Sequence, residues 1–131
     1  LPIFIVKKPL KLDCGKEISN FPLAYETYGK LNENKDNAIL VFHALTGDQF
    51  ASGINPITKK DGWWKYALGP GKAFDTEKFF VISANVIGGC MGSYGPSTIN
   101  EITSKHPSNR VRKTTGKPNQ IECYRKYPTT S

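Results

Sequence analysis

The sequence predicts an α/β fold, and two continuous apolar runs carry that prediction. The first run is Ala38–Phe42, which ends at His43, and the second covers residues 79–86. Uninterrupted apolar runs are typical of strands that are buried on both faces of a parallel sheet. A long polar, glycine-rich segment separates the two runs, and a short helix is expected in it around residues 63–68. A strand, a crossover and a second strand form the basic unit of α/β architecture.

The first 28 residues predict a hairpin that precedes these two strands. Residues 3–12 resemble a strand, and Pro9 within it cannot donate to a β-ladder, which favours an edge position. A turn-like segment follows. In residues 17–28 apolar and polar side chains alternate, which indicates a half-buried strand that pairs with the first.

Charge divides the chain at about residue 100. Residues 1–100 carry 11 lysines and 9 acidic residues, whereas residues 101–131 carry 7 basic and 2 acidic residues, so most of the net charge of +7 lies in the tail. The tail also has few apolar residues and no helical or strand period. Such a segment buries too little surface to offset its ordering entropy. We therefore predict an ordered part over residues 1–100 and a disordered tail over residues 101–131.

Several classes of protein are disfavoured by the bulk sequence. The three cysteines, Cys14, Cys90 and Cys123, form no C-x-x-C pair, which argues against a zinc site, and their odd number without a secretion signal fits reduced thiols. No apolar run approaches the ~20 residues that a membrane span needs. The expected protein is cytoplasmic, without a metal and without a membrane partner. The tail could bind nucleic acid through its basic residues and tyrosines, but a solvated, unstructured tail is the favoured interpretation.

Two loops follow the predicted buried strands directly. The first runs from His43 to Asp48, where small residues would let the backbone approach a substrate closely. A plain turn with a buried histidine explains the same pattern, and the pattern alone favours it. The second loop, residues 88–95, lacks the glycine spacing of a G-x-G-x-x-G fingerprint, because Cys90 and Ser93 occupy two of the required positions.

No credible Ser-His-Asp set is visible in the chain. A nucleophile elbow needs G-x-S-x-G between a strand and a helix. The nearest matches, at Ser93 and Ser97, lack either the first glycine or the pattern that follows it. The two histidines are His43, at a strand end, and His106, in the tail. The adjacent Trp63 and Trp64 could line a pocket, but packing is favoured because tryptophan buries a large area.

Taken together, several segments resemble the homoserine O-acetyltransferase family of the α/β-hydrolase superfamily. The matching stretches, in family order and spacing, are LAYETYG at 23–29, LVFHALTGD at 40–48, GWW at 62–64, GPGKAFDT at 69–76, FFVISANVIGGC at 79–90 and GSYGPSTIN at 92–100. The resemblance covers roughly residues 10–100. It implies the N-terminal part of an α/β-hydrolase fold, with strands 1–4 of a mainly parallel sheet.

The resemblance implies transfer of an acetyl group from acetyl-CoA, as co-substrate, to homoserine in methionine biosynthesis, by a ping-pong route through an acyl-serine. It assigns an oxyanion-hole backbone N–H to Leu45. Residues near the nucleophile would be Thr46, Gly47 and Asp48 from the first loop, and Gly88, Gly89, Gly92 and Ser93 from the second. The nucleophile, aspartate and histidine of the family match no position in this chain. The parent enzyme is expected to be a homodimer without a bound cofactor.

Three alternatives remain open from the sequence. The acyl acceptor could be serine, or the donor succinyl-CoA, within the same family. A small non-enzymatic protein that binds nucleic acid through residues 101–131 is the third. The family pattern ends near Glu101, and a frameshifted or degraded gene would explain that change of composition.

The resemblance also has a physical consequence for the isolated chain. The family sheet runs in the order 1-2-4-3-5, so the strand at 38–42 would lose one neighbour and expose apolar surface. An open hydrophobic edge promotes aggregation. We expect an isolated chain that is poorly soluble or molten, and catalytically inactive; a cooperative thermal transition in a soluble monomer would contradict this.

Overall fold

A computed structural model of the chain describes residues 1–95, Thr98, Val111–Lys113 and Ile121–Cys123. These residues contain ten strands and no helix. The strands are β1 (Ile3–Val6), β2 (Leu10–Lys11), β3 (Glu17–Ile18), β4 (Phe21–Tyr28), β5 (Ala38–Phe42), β6 (Leu68–Gly69), β7 (Phe74–Asp75), β8 (Phe80–Ala84), β9 (Val111–Lys113) and β10 (Ile121–Cys123).

The main sheet has four strands in the order β1-β4-β8-β5. Strands β5 and β8 are parallel, with Ala38 opposite Phe80 and Phe42 opposite Ala84, whereas β4 and β8 are antiparallel. The sheet is therefore mixed, and β5 is its last strand on one side among the described residues. This order agrees with the expected family order 1-2-4-3.

The described residues form two compact units. The first comprises residues 1–2 and 24–85 and contains the β5–β8 pair. Its core is Val41, Ala51, Leu68 and Val81, with Tyr28, Ile39, Trp63, Trp64 and Phe74 packed against it. The two tryptophan rings stack with centroids 5.4 Å apart, and Trp64 contacts Phe74 at 4.6 Å. Packing, rather than pocket lining, is thus what both tryptophans do.

The second unit contains β1, the β2–β3 hairpin, the start of β4 and the described residues from 86 onward. The predicted hairpin is confirmed in a shorter form, because Leu10 pairs with Ile18 and Lys11 with Glu17. Gly15 turns the chain with φ of 77°. The Phe21 and Tyr94 rings meet edge to face with centroids 6.4 Å apart.

Two local expectations are wrong. Residues 63–67 form successive turns instead of a helix, with the Ala67 and Leu68 N–H groups both donating to the Trp64 carbonyl, because the chain then enters β6. Cys14 is disulfide-bonded, whereas Cys90 is an exposed free thiol. Cysteine number and spacing alone do not determine pairing.

The tail lies mostly outside the described residues. Within it, β9 and β10 form an antiparallel ladder in which Val111 is opposite Cys123 and Lys113 opposite Ile121. The prediction that residues 101–131 are disordered otherwise falls on residues outside the described ones. Strands of three residues are too short to produce a recognisable sequence period.

Candidate functional site

The loop after β5 begins with a tight turn. The Gly47 N–H donates to the Ala44 carbonyl at 2.9 Å, which places Leu45 and Thr46 at the tip. Both tip residues are exposed, and 54% of the Leu45 surface is accessible. The turn therefore presents its tip outward at the carboxyl end of a parallel strand, where α/β folds bind ligands.

Gly47 is required by the close approach of a neighbouring side chain. A Cβ atom at this position would lie 2.8 Å from Cβ of His43 and 3.2 Å from its Nδ1. The His43 ring is buried, and its Nδ1 lies 2.6 Å from the Ala44 carbonyl oxygen. Because a carbonyl oxygen only accepts, Nδ1 carries the proton in this bond. The close approach of His43 and Gly47 thus holds the start of the turn next to its end.

The buried face of β8 and its continuation changes from apolar to polar toward the carboxyl end. Val81 lies in the core, Ser83 follows on the same face, and Asn85 comes directly after the strand; all three are at most 1% exposed. The Ser83 hydroxyl has no hydrogen-bond partner among the described residues. Polar groups buried beside the end of a parallel sheet are typical of a site built for a ligand.

Asp48 makes three hydrogen bonds within its own unit. Its Oδ1 accepts the Phe50 N–H at 2.8 Å, and its Oδ2 accepts Nδ2 of Asn55 at 3.0 Å. Its backbone carbonyl accepts the indole N–H of Trp63 at 2.9 Å. Both carboxylate oxygens are therefore engaged inside the protein, although the sequence predicts that Asp48 shapes the wall near the substrate.

Asn55 and Trp63 were missed by the sequence reasoning. Asn55 is 4% exposed, and its Oδ1 accepts the N–H groups of Ile57 at 2.9 Å and Thr58 at 3.1 Å. Asparagine is common in turns, which was the available signal for this role. Nothing in the spacing links Asn55 to Asp48, and Trp63 gave no sign of a polar function.

Tyr28 adds a second polar anchor to this segment. Its hydroxyl accepts the Ser52 N–H at 3.1 Å and lies 3.3 Å from the Ser52 carbonyl oxygen. Burial raises the pKa of Tyr28 above its ordinary value, and the nearby carboxylates of Glu26 and Asp48 raise this pKa further, against the lowering effect of the backbone hydrogen bonds. The hydroxyl therefore stays protonated at neutral pH and can donate as well as accept.

The glycine-rich segment 88–95 belongs to the second unit. The Gly88 N–H donates to the Tyr94 carbonyl at 2.7 Å, and the Tyr94 N–H donates to Pro22 at 2.8 Å. Gly88 and Gly92 have φ of 86° and 104°, which favours glycine. Gly89 is buried, and Ser93 is 1% exposed.

Among the described residues, no group of three or more His, Cys, Asp or Glu is arranged to hold a metal ion. None of the described segments is a helix long and apolar enough to span a membrane. His106 and Ser97 lie outside the described residues.

The chain has close relatives of known name. It is 78% identical over 101 residues to the homoserine O-acetyltransferase of Pelagibacter ubique, which covers 77% of this chain and 27% of the relative. It is 60% identical over 96 residues to that of Leptospira meyeri, covering 73% of this chain and 25% of the relative. The chain thus spans about a quarter of the length of these curated relatives. No family model matches it.

Solved structures of similar fold include a member of the same family. The homoserine O-acetyltransferase from Bacillus anthracis superposes with a TM-score of 0.70 at 32% identity, covering 80% of this chain and 30% of that one. Esterase E22 superposes with a TM-score of 0.68 at 33% identity, with the same coverage. Together with the sheet order, these neighbours confirm the N-terminal part of an α/β-hydrolase fold.

Within that fold class, the chain belongs to the homoserine O-acetyltransferase family. It corresponds to the N-terminal portion of its relatives. The resemblance that the sequence motifs indicate is therefore confirmed.

Proposed function

We propose that this chain is the N-terminal segment of an enzyme that transfers an acetyl group from acetyl-CoA to the hydroxyl of L-homoserine. The products are O-acetyl-L-homoserine and CoA. The observation that carries the proposal is the 78% identity over 101 residues to a homoserine O-acetyltransferase.

The proposed role of the turn is to stabilise negative charge. In acyl transfer the carbonyl oxygen becomes an oxyanion, and a preorganised N–H stabilises it without reorganisation. We assign that N–H to Leu45, at the exposed tip of the turn. By resemblance to the family, the residues assigned to the surroundings of the nucleophile are Thr46, Gly47, Asp48, Gly88, Gly89, Gly92 and Ser93.

The rest of the mechanism belongs to residues outside this chain. In the proposed ping-pong route, the acetyl group passes from the CoA sulfur to a serine oxygen, and then from that ester to the homoserine oxygen. The serine, aspartate and histidine of the triad match no position here, so the chain alone is inactive. Residues 1–100 form the N-terminal portion of an α/β-hydrolase domain, and residues 101–131 a basic, disordered or out-of-frame tail. The enzyme acts in the cytoplasm as a homodimer without a bound cofactor.

A chimeric enzyme tests this proposal. The matched 101-residue segment of this chain replaces the corresponding segment of the Pelagibacter ubique enzyme, and released CoA is measured with homoserine as acceptor. The same assay with serine, with succinyl-CoA, or without an acceptor separates the related activities from hydrolysis. The proposal predicts CoA release that depends on homoserine and acetyl-CoA.

The non-enzymatic alternative has its own test. If the basic tail binds nucleic acid, deletion of residues 101–131 abolishes the binding, whereas the proposed function predicts no specific binding with or without the tail. The basic residues and the tyrosines of the tail are the observations that favour this alternative.

A further inference from the structure

We propose that Asp48, Asn55 and Trp63 are positioning residues that hold the turn at 44–47 in the geometry acyl transfer requires. We call these three residues the Asp48 clamp. The inference rests on the proposed function, because it depends on the Leu45 N–H acting on the oxyanion. It gives Asp48 an inward, positioning role in place of direct contact with substrate.

The turn is a short segment held at both ends. At its start, β5 pairs with β8 along its whole length, and the buried His43 packs against Gly47. At its end stands Asp48, directly after Gly47. Between these ends the tip residues Leu45 and Thr46 are exposed. The position of the tip therefore depends on how firmly both ends are fixed.

The clamp fixes Asp48 from three directions. The bond from Oδ1 to the Phe50 N–H closes an Asx turn over the following residues. The bond from Oδ2 reaches Asn55, seven residues away, and Asn55 is itself held by the Ile57 and Thr58 N–H groups. The backbone carbonyl bonds the indole of Trp63, which packs against the core. Side chain and main chain of Asp48 are thus both tied to distant parts of the same unit.

Acyl transfer is sensitive to such support. An oxyanion donor works when it is fixed before the charge develops, and its loss costs about 10²–10³-fold in kcat. A misplacement of about 1 Å can cost about 10²-fold even when the cause lies away from the chemistry. Replacement of a residue that holds the donor in place should therefore lower kcat while leaving the binding of homoserine unchanged.

A reciprocal exchange separates positioning from substrate contact. In Asp48→Asn, an amide nitrogen faces the Asn55 amide nitrogen, and two donors oppose each other. Adding Asn55→Asp restores a donor–acceptor pair, because the amide introduced at 48 donates to the carboxylate introduced at 55. That carboxylate still accepts from the Ile57 and Thr58 N–H groups. The hydrogen bonds return while the negative charge moves from position 48 to position 55.

The experiment measures kcat, the KM for homoserine and p-nitrophenyl acetate hydrolysis in the chimera. Asp48→Asn should lower kcat by about tenfold or more, lower the hydrolysis of p-nitrophenyl acetate by the same factor, and leave KM within about twofold. The exchange should restore both rates to within about threefold of the parent. Asp61→Asn, at an exposed carboxylate paired with Lys65, is the matched control and should leave all values unchanged.

Four outcomes overturn the inference. They are an unchanged kcat in Asp48→Asn, an exchange variant as slow as Asp48→Asn, a raised KM in both variants, and a loss of rate that matches the loss of folded protein. If Asp48→Asn does not fold, Trp63→Phe, which removes the indole N–H together with part of the ring that stacks on Trp64, should lower kcat in the protein that remains folded. An inactive parent chimera would instead refute the proposed function, so the two failures are distinguishable.

Discussion

Gly62 occupies a position where the backbone leaves no room for a side chain. A Cβ atom there would lie 2.5 Å from the Ser52 nitrogen and 2.6 Å from the Ala51 carbonyl carbon. The Gly62 N–H also donates to the Gly53 carbonyl at 2.8 Å, so the two segments are held together. A larger residue must displace backbone that cannot rotate away.

We expect Gly62→Ala to destabilise the chimera more than Gly53→Ala. The first change forces a backbone shift, which costs about 1–3 kcal/mol or more. The second places a Cβ in open space and has only the cost of a φ of 73°, about 1–2 kcal/mol. Thermal unfolding midpoints measure both, and a larger loss in Gly53→Ala would contradict the close packing.

Asp75 couples stability to pH. Its Oδ1 accepts the N–H groups of Gly71 at 2.9 Å and Glu77 at 3.1 Å, which lower the pKa of this carboxyl below its ordinary 3.8, and Lys78 lowers it further. A pKa that is lower in the folded state means that the contribution to stability is present above about pH 4 and is lost as the pH falls through the folded pKa.

Asp75→Asn should therefore flatten the loss of stability between about pH 5 and about pH 2, a window around the ordinary pKa of the carboxyl. The amide oxygen can still accept from Gly71 and Glu77, so the variant should fold. Unfolding midpoints of the chimera across this range measure the effect, with Asp13→Asn on the exposed hairpin turn as control. An equally steep acid limb in Asp75→Asn would contradict the assignment.

At the residue scale, the sequence located the turn but not what holds it. The apolar run that ends at His43 placed Leu45 and Asp48 just after a strand. The partners of Asp48 are 7 and 15 residues away and are joined by folding of the intervening loop. No period or motif encodes such contacts, so the clamp could be found only in three dimensions.

Strand β5 is the element on which the behaviour of the isolated chain depends. It is the last strand of its sheet on one side among the described residues, and its Leu40 and Phe42 side chains are 53% and 69% exposed. The expected hydrophobic edge is therefore present. Such an edge can pair with another chain through its free backbone groups and apolar side chains.

The double change Leu40→Thr and Phe42→Thr should increase the soluble fraction of the 131-residue chain. Threonine keeps the β propensity of the strand but removes the apolar surface. The control, Ile57→Thr with Tyr66→Thr, removes exposed apolar groups outside the strands. Sedimentation after expression measures the soluble fraction, and an equal gain in the control would show that general surface polarity, and not this edge, sets solubility.

At the element scale, prediction succeeded where apolar residues formed long runs. Strands β4, β5 and β8 lie inside their expected segments. The loop between β5 and β8 was less predictable, because the turns at 63–67 and the two-residue pair β6–β7 are set by hydrogen bonds such as that from the Phe74 N–H to Ala67. Pairs this short have no sequence period.

For the whole molecule, the central fact is that the match covers only about a quarter of the length of each relative. Relatives that agree with this chain over about 100 residues are about four times as long as the matched part. The sheet order agrees with the first four strands of the family, as the resemblance to the family implied. The division at residue 100 and the assigned site residues remain predictions.

The most direct measurement is homoserine-dependent CoA release by the chimera that carries the matched segment of this chain. The account predicts turnover comparable to that of the parent Pelagibacter ubique enzyme, within about tenfold, because the substitution changes only about a fifth of the residues in the segment. A folded chimera that binds acetyl-CoA but releases no CoA above background would contradict the claim that this segment serves homoserine acetylation.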